Sequence, residues 1–506
     1  MSQTADSGSD GAAEAAAEDT GGIRKKFIRN LLSFSGANLI VQGLQFVQGI
    51  IIRAILPPSV VGTWNYVGVT QGFTNTFDLG ITAGAGRELP LLRGAGKTDE
   101  EHLARSTAFW GRLIQALAFA GIIVAVTATG YREAAWNVAL TAAALVVLVS
   151  CVESYTCFCQ SAEKYVFLSR ANVIGAVMLL IGVVGGGYYG GATGIMIGAV
   201  TATAIKVMVL ATGRRDDAMP MLPVLNGPIL KRLIGFGLPM RLVDYPLALF
   251  TMLDVLLISH FLTAAELGVY TTAKIITMMA VEGPTKLNTV YLSRLYIRCG
   301  ENKDRAEIAG TLRQFVLAQY TIVLPLSVLG AWWFAKVMID GMLPRYEEAL
   351  DSTRLLLLTA FVVPQTSMVR NFWMIDKRFK ATGLVNAGGL LAMALSMGVV
   401  LFMGDFSLER VAAAYLMGFT IHFLILMATV GREVWGLKQT MSVASVALGA
   451  GAYVGGVIFM FAGGRAEPGL IPTLSAAVLP LLASVALVAP LVVCGWHWSG
   501  IRNLRP

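Results

Sequence analysis

The chain has 506 residues, of which 56% are hydrophobic and only 14% are charged. Soluble domains carry about 25% charged residues, so this composition excludes a soluble globular protein and indicates a polytopic membrane protein. The net charge of +8 is assigned to loops that flank membrane spans, where basic residues set the orientation. We therefore expect no nucleic-acid partner.

Residues 1–22 form a segment of small, polar and acidic residues without a basic residue or an apolar run. This composition predicts a disordered acidic tail. A secretory signal peptide would place positive charge before a short apolar region, so the first span is expected to be retained.

Apolar windows of about 20 residues predict about fourteen membrane spans. The predicted spans lie near residues 31–54, 62–86, 109–129, 134–158, 166–187, 192–212, 235–260, 267–290, 314–339, 352–374, 381–403, 409–430, 441–463 and 470–495. We divide them into a first lobe at residues 23–230, a second lobe at 231–435, and a final pair with a short cytoplasmic tail at 436–506.

An internal repeat supports this division. Leu56–Trp64 aligns with Leu262–Tyr270 without a gap, and Gly62 then matches Gly268. A repeat of an even number of spans gives both halves the same orientation, with a pseudo-twofold axis along the membrane normal. The predicted fold is all-α, with two pseudo-symmetric six-helix lobes around a central cavity and an added C-terminal helix pair.

Basic residues cluster on one side of the predicted spans. The clusters are Arg24–Arg29, Arg87–Arg112, Arg214–Arg232, Arg294–Arg313 and Lys377–Lys380. Because cytoplasmic loops carry the excess of Lys and Arg, both termini are predicted to be cytoplasmic.

Charged residues inside the predicted spans are the strongest functional signal. They include Arg241, Asp244, Asp254, Lys274 and Arg370. A charge at this depth is costly, so such a residue faces protein or a water-filled cavity rather than lipid. We predict Lys274, Arg241 and Arg370 as substrate-binding cations of a chamber, and Asp254 and Asp244 as ion-coupling carboxylates. The structural alternatives are that Arg241 pairs with Asp244 one turn away and that Lys274 extends to the membrane surface.

Polar residues form stripes on the first two spans. Gln42, Gln45 and Gln48 recur every three residues, and Gln71, Asn75 and Asp78 recur at four and then three. Such spacing places each set on one helix face. We predict that Gln42, Gln45, Gln71, Asn75 and Asp78 line the chamber, and the alternative is hydrogen bonding between packed helices.

The sequence contains no complete motif for catalysis, for metal binding or for nucleotide binding. Gly94–Thr98 resembles the end of a phosphate-binding loop, but Leu91 stands where its first glycine belongs and no buried strand precedes it. The five cysteines and four histidines lack metal-ligand spacing. We predict no catalytic residue, no metal and no cofactor other than a coupling Na⁺ or H⁺.

Two segments carry a family resemblance. Arg53–Gly62 with Phe77–Ile81 resembles the opening of bacterial polysaccharide flippases, and Gly237–Pro239 with Glu266–Lys274 resembles the start of their second half. These flippases form the O-antigen and exopolysaccharide branch of the multidrug, oligosaccharidyl-lipid and polysaccharide superfamily, the MOP superfamily. The resemblance covers residues 31–430.

The resemblance implies a transporter of the bacterial inner membrane. It would move an undecaprenyl-diphosphate-linked oligosaccharide from the cytoplasmic to the periplasmic leaflet by alternating access, as a monomer that contacts membrane lipid and works with polymerase or export machinery. Lys274 matches a cavity Arg of related lipid II flippases, and Asp254 matches an acidic position that binds a coupling cation in some of them. Lys in place of Arg reduces bidentate recognition of a diphosphate.

Two other functions remain open at this point. A multidrug cation antiporter of the same superfamily would have no need for the C-terminal helix pair, which in lipid II flippases helps hold a polyprenyl tail. A membrane-embedded glycan polymerase would need a large periplasmic loop with carboxylates and arginines. The longest loop on that side, near Asp340–Asp351, is short.

Overall fold

The computed structural model describes residues 36–38, 40–76, 78–128, 136–212, 224–300, 305–375, 378–404, 406–461 and 470–498. Every regular element in these residues is a helix. The predicted acidic tail at residues 1–22 lies outside the described residues.

The helices fall into two groups in chain order. The first group is α1 Gly36–Ile55, α2 Pro58–Thr76, α3 Ile81–Gly94, α4 Thr98–Ala128, α5 Trp136–Ser161 and α6 Tyr165–Thr212. The second is α7 Gly227–Phe261, α8 Ala264–Gly300, α9 Arg305–Ala318, α10 Leu324–Met342, α11 Ala349–Leu358, α12 Val363–Ile375, α13 Phe379–Phe402, α14 Leu408–Leu426, α15 Arg432–Trp435, α16 Leu437–Met460 and α17 Leu470–Trp498. A π-helical turn, Gln319–Val323, joins α9 to α10, and a second, Met427–Gly431, joins α14 to α15.

Within the described residues, ten helical segments are long and apolar enough to cross a membrane. They include α1, α4, α5, α6, α7 and both helices of the C-terminal pair, α16 and α17. The prediction of a multi-pass, all-helical membrane protein is confirmed.

One predicted span is wrong in its bounds. The span expected near residues 62–86 is two helices, because α2 ends at Thr76 and α3 begins at Ile81. The backbone turns at Gly80, whose φ of 79° is in the left-handed region, and a side chain there would overlap the backbone of Gly237. Glycine is the residue that tolerates both constraints.

Helix α6 contains two antiparallel segments that match the two spans predicted near 166–187 and 192–212. Gly191 breaks the helix with φ 54° and ψ −135°. On either side of it, Gly182 packs against the backbone of Gly198 and Gly186 against that of Gly194. Paired glycines allow helix backbones this close in a membrane.

The chain divides by internal contacts into two compact units. The first contains Met1–Ile52 and Asp78–Leu238, and the second contains Arg53–Phe77 and Pro239–Pro506. The first unit is held by α3, α4 and α5, and it buries Arg112 against Glu153 with 2.9 Å between Nη2 and Oε2. The two predicted lobes stay a prediction.

In the second unit α2 packs along α8. Thr263 and Glu266 form a capping box at the start of α8, with Thr263 N donating to Glu266 Oε2 at 2.8 Å and Glu266 N donating to Thr263 Oγ1 at 3.2 Å. The Tyr346 hydroxyl, between α10 and α11, donates to Leu56 O at 3.2 Å. Burial raises the pKa of Tyr346 to about 12, so this donor keeps its proton at neutral pH.

The C-terminal helix pair packs on the same unit. Trp333 Nε1 of α10 donates to Ser484 Oγ of α17 at 2.9 Å, and Tyr453 OH of α16 donates to Leu487 O of α17 at 2.7 Å. The buried indole of Trp333 needs such a partner. The two hydrogen bonds tie the helix pair to α10 and its two helices to each other.

Candidate functional site

A buried ion pair joins α7 to α8 in the second unit. Asp254 of α7 has no exposed surface. The Lys274 ammonium of α8 lies 2.8 Å from its Oδ1 and 2.9 Å from its Oδ2. Lys274 Nζ also donates to Thr251 O at 2.9 Å. Because an ammonium has three donors, these three acceptors use all of them.

Two tyrosines complete the surroundings of this pair. The Tyr270 hydroxyl donates to Asp254 Oδ2 at 2.8 Å, and Lys274 Nζ lies 4.8 Å from the ring centroid of Tyr415 on α14. Asp254 thus receives a hydrogen bond from a neutral donor in addition to its cation. An aromatic ring also attracts the ammonium at this distance.

The local sequence explains how these groups meet. Tyr270 and Lys274 are four residues apart, so they lie on the same face of α8. Thr251 and Asp254 are three apart and share a face of α7 in the same way. The two faces pack on each other, and the charged groups satisfy one another instead of facing lipid.

A second charged group lies on α12. Arg370 is 17% exposed, and its Nη1 lies 4.0 Å from Oδ1 of Asp244 on α7. The Asp244 side chain is 54% exposed. The ion contact of Asp244 therefore comes from another helix, whereas the sequence suggested Arg241, its neighbour one turn away. Arg241 is half-buried on α7.

A cavity of about 280 Å³ lies beside these residues. Its wall consists of residues from α7, α8, α12 and α14, namely Leu247, Thr251, Met278, Val281, Glu282, Thr285, Val363, Pro364, Thr366, Arg370, Phe419 and His422. Thr251 connects the two features, because its carbonyl oxygen binds Lys274 while the residue lines the cavity. The structure thus brings Asp254, Lys274 and Arg370 to neighbouring parts of one unit.

The predicted polar stripes are placed as follows. On α1, Gln42 is half-buried, Gln45 is exposed and Gln48 is buried. Gln71 is half-buried on α2, and the side chain of Asn75 lies outside the described residues. Their cavity role stays a prediction.

Asp78 has a structural task in the break between α2 and α3. It is fully buried, and its Oδ1 accepts hydrogen bonds from Gly80 N and from Ile81 N, the latter at 3.1 Å. The carboxylate therefore holds the backbone at the residue before α3 and at its first residue, whereas the N-cap position itself is Gly80. The four-then-three spacing placed Asp78 on one helix face with Gln71 and Asn75. Helix α2 ends at Thr76, so Asp78 does not belong to that helix.

Sequence reasoning missed Tyr270, Tyr415 and His422. The signal for Tyr270 was its i, i+4 spacing to Lys274. Tyr415, Phe419 and His422 also recur at four and three residues on α14. The rings of Tyr415 and Phe419 meet edge to face with 4.8 Å between their centroids, and Phe419 and His422 each contact the Phe250 ring of α7 in the same edge-to-face manner. These three residues of α14 do not have the spacing of metal ligands, so that criterion did not identify them.

Comparison with known proteins gives one family. The sequence pattern of a family described as "Polysaccharide biosynthesis protein" matches residues 88–349, more than half of the chain. No curated protein matches the chain in sequence.

Several solved structures share the fold. The lipid II flippase MurJ in an inward closed conformation superposes with a TM-score of 0.66 at 11% identity, covering 93% of this chain and 99% of that one. An inward-facing multidrug resistance MATE family transporter of the MOP superfamily gives 0.58 at 14% identity, covering 80% and 94%. A MOP superfamily transporter from Pyrococcus furiosus gives 0.53 at 14% identity, covering 82% and 96%.

At these identities the structural likeness defines the fold, whereas the sequence pattern defines the family. The chain is a multi-pass membrane protein with the fold of MOP superfamily transporters, and it belongs to the family of polysaccharide biosynthesis proteins.

Proposed function

We propose that this protein is a flippase for a lipid-linked oligosaccharide in surface polysaccharide biosynthesis. Its substrate would be an undecaprenyl-diphosphate-linked glycan, carried by alternating access from the cytoplasmic to the periplasmic leaflet of a bacterial inner membrane. Family membership supports the biosynthetic role. The fold shared with a lipid II flippase supports a lipid-linked substrate.

The ion pair between Asp254 and Lys274 is the observation that carries the mechanism. The three protons of the ammonium are held by Asp254 and by Thr251 O. Lys274 cannot bind a diphosphate at full strength while it holds these partners. When Asp254 is neutralised by H⁺ or Na⁺, the ammonium loses its counter-charge and turns to an anionic substrate.

This arrangement links the coupling ion to the substrate. An ion that binds Asp254 raises the affinity of Lys274 for a diphosphate, and by reciprocity the diphosphate raises the affinity of Asp254 for the ion.

The alternative function is a multidrug cation antiporter of the same superfamily, since that fold is shared. A cationic drug would displace Lys274 from Asp254 and leave the ammonium as a repelling charge in the same place. An anionic substrate has the opposite effect, so the pair favours the lipid diphosphate. A membrane-embedded glycan polymerase has no comparable support.

Flipping by the purified protein in liposomes tests the proposal. A polyprenyl-diphosphate oligosaccharide with a fluorescent sugar is reconstituted, and its transfer between leaflets is followed by quenching from outside under imposed pH or Na⁺ gradients. We expect Lys274→Ala to abolish transfer and Lys274→Arg to retain most of it, because the positive charge remains. With Asp254→Asn, transfer of the lipid should continue but should no longer respond to the pH gradient or to the Na⁺ gradient.

Lys380→Ala is the matched control, because this exposed lysine carries the same charge outside the site. Export of a cationic dye by the wild type, without transfer of the lipid, would favour the antiporter. The proposal extends to a monomer that hands its product to a polysaccharide polymerase or export machinery in the periplasm.

A further inference from the structure

The cavity of about 280 Å³ in the second unit has two wall residues whose side-chain nitrogens lack a hydrogen-bond partner among the described residues. Arg370 enters it from α12 and His422 from α14. A cavity of this size has room for a tetrahedral oxyanion.

His422 is fixed in this wall and only 2% exposed. Its ring lies 5.2 Å from the centroid of the Phe250 ring. Gly389 of α13 leaves space for it, since a Cβ there would lie 2.6 Å from Cδ2 of the imidazole. In the part of the chain that the structure describes, neither ring nitrogen has a hydrogen-bond partner. Buried polar groups are nearly always hydrogen-bonded, so the ring has a donor and an acceptor to offer a ligand.

Arg370 has donors available in the same place. Its Nε and Nη1 are buried and, among the described residues, make no hydrogen bond. Asp244 Oδ1 is 4.0 Å from Nη1, which is too long for a hydrogen bond. The planar fork of a guanidinium matches the oxygens of phosphate in a bidentate way.

The rest of the wall restricts what can bind. The hydroxyls of Thr251, Thr285 and Thr366 donate to backbone carbonyls of their own helices. Glu282 has a cation one turn away, with 3.5 Å to Lys286 Nζ. Among the described residues of this wall, the unpartnered nitrogens are thus those of Arg370 and His422, and both side chains suit an anion.

We propose that this cavity binds one phosphate-class oxyanion, with Arg370 donating from Nε and Nη1 and His422 from one ring nitrogen. The inference rests on the proposed function and deepens it, because it places one phosphate of the lipid-linked diphosphate inside the second unit. A phospholipid head group or free phosphate offers the same chemistry, and the experiment separates these sources.

The test uses the full-length protein in phosphatidylcholine nanodiscs. Binding of inorganic pyrophosphate, inorganic phosphate and a polyprenyl diphosphate is measured by calorimetry for the wild type, Arg370→Gln and His422→Phe. We expect each substitution to weaken binding of the anions at least tenfold. Arg378→Gln is the control, because Arg378 is an exposed arginine of the same unit that pairs with Glu433 at 2.9 Å.

The pattern among probes identifies the source. Arg370-dependent binding of the soluble anions indicates a phosphate site without need of a lipid tail, and binding of the polyprenyl diphosphate alone indicates the lipid-linked substrate. Phosphatidylglycerol nanodiscs test competition for the site: if binding of the soluble anions and of the polyprenyl diphosphate is lost there, and this loss depends on Arg370, the site holds a phospholipid head group. Each of these outcomes supports an oxyanion site.

Wild-type affinity for every probe in Arg370→Gln and His422→Phe overturns the inference. If Arg370→Gln does not fold, Arg370→Lys replaces it, and this variant should weaken binding severalfold because the fork is lost. The liposome assay separates the two proposals. Normal flipping with Arg370-independent binding overturns only the oxyanion site, and Arg370-dependent binding without flipping overturns only the transport function.

Discussion

Gly62 and Gly268 pack reciprocally in the crossing of α2 and α8. A Cβ on Gly62 would overlap the carbonyl oxygen of Ala264, and a Cβ on Gly268 would overlap that of Pro58. Asn65 and its hydrogen-bond partner Thr271 are 206 positions apart in the sequence. The same number of positions separates Gly62 from Gly268, and it also separates the first residue of α2, Pro58, from the first residue of α8, Ala264. Each contact therefore has its counterpart in the other repeat, as a pseudo-twofold axis through this crossing requires.

The first prediction concerns this crossing. Alanine in place of glycine normally stabilises a helix by about 1 kcal/mol, but at Gly62 or Gly268 the new methyl meets backbone that cannot move aside. We expect Gly62→Ala and Gly268→Ala to lower the thermal unfolding temperature of the purified protein by several degrees. Gly68→Ala, on the same helix with nothing within 4 Å of the new Cβ, should leave it unchanged or raise it. The same response at all three positions would refute a close crossing.

The repeat could be read from the sequence because glycine and turn residues recur at a fixed distance. The ion partners could not be read in the same way. Asp244 has Arg241 one turn away, yet its ion contact is with Arg370 from α12 at 4.0 Å. The helix that packs against a given face of α7 is set by the packing of all the helices together. The sequence of α7 alone therefore does not show that α12 supplies the partner of Asp244.

The repeat also shows that the charge pair is confined to one half. Counting back 206 positions, Gln48 corresponds to Asp254 and Gly68 to Lys274. The first half thus has a neutral amide and no side chain where the second half has two charges. The pair is present in only one copy of the repeat, which favours a specific task over a role in helix packing common to both halves.

The second prediction addresses the energetics of this pair. Removing one member of a buried ion pair leaves an uncompensated charge and costs about 3–5 kcal/mol. We expect Asp254→Asn and Lys274→Met each to destabilise the protein strongly, and the double variant to recover much of that loss. A double-mutant cycle on unfolding free energies measures the coupling, with Lys380→Met as the control for an exposed lysine. Additive single effects would contradict a direct pair.

A buried amide chain supports the wall next to the cavity. Gln365 Nε2 donates to Gln319 Oε1 at 2.6 Å, Gln319 Nε2 donates to Asn288 Oδ1 at 2.8 Å, and Asn288 Nδ2 donates to Pro364 O at 2.8 Å. Gln319 is the first residue of a π-helical turn. The chain thus ties α8 and α12 to an irregular backbone segment, a kind of segment that is frequent near functional sites.

The third prediction tests this amide chain. Gln319→Leu keeps the volume but removes the partners of Gln365 and Asn288, and each buried polar group left without a partner costs about 1–3 kcal/mol. The unfolding free energy should fall by roughly that amount for each group. Gln439→Leu, at an exposed position on α16, serves as control. A loss no greater than that of the control would show that the amides are not coupled.

The fourth prediction concerns topology, which the basic-residue bias predicts from the sequence alone. The exposed residues Thr98 and Glu348 are separated by an odd number of predicted spans, so they should lie on opposite sides of the membrane. In a variant whose native cysteines are replaced by serine, Thr98→Cys should react with an impermeant maleimide only after the cells are opened, whereas Glu348→Cys should react in intact spheroplasts. Labelling of both from outside would require an even number of spans between them. Labelling of Thr98→Cys alone from outside would invert the orientation and place the start of α4 in the periplasm.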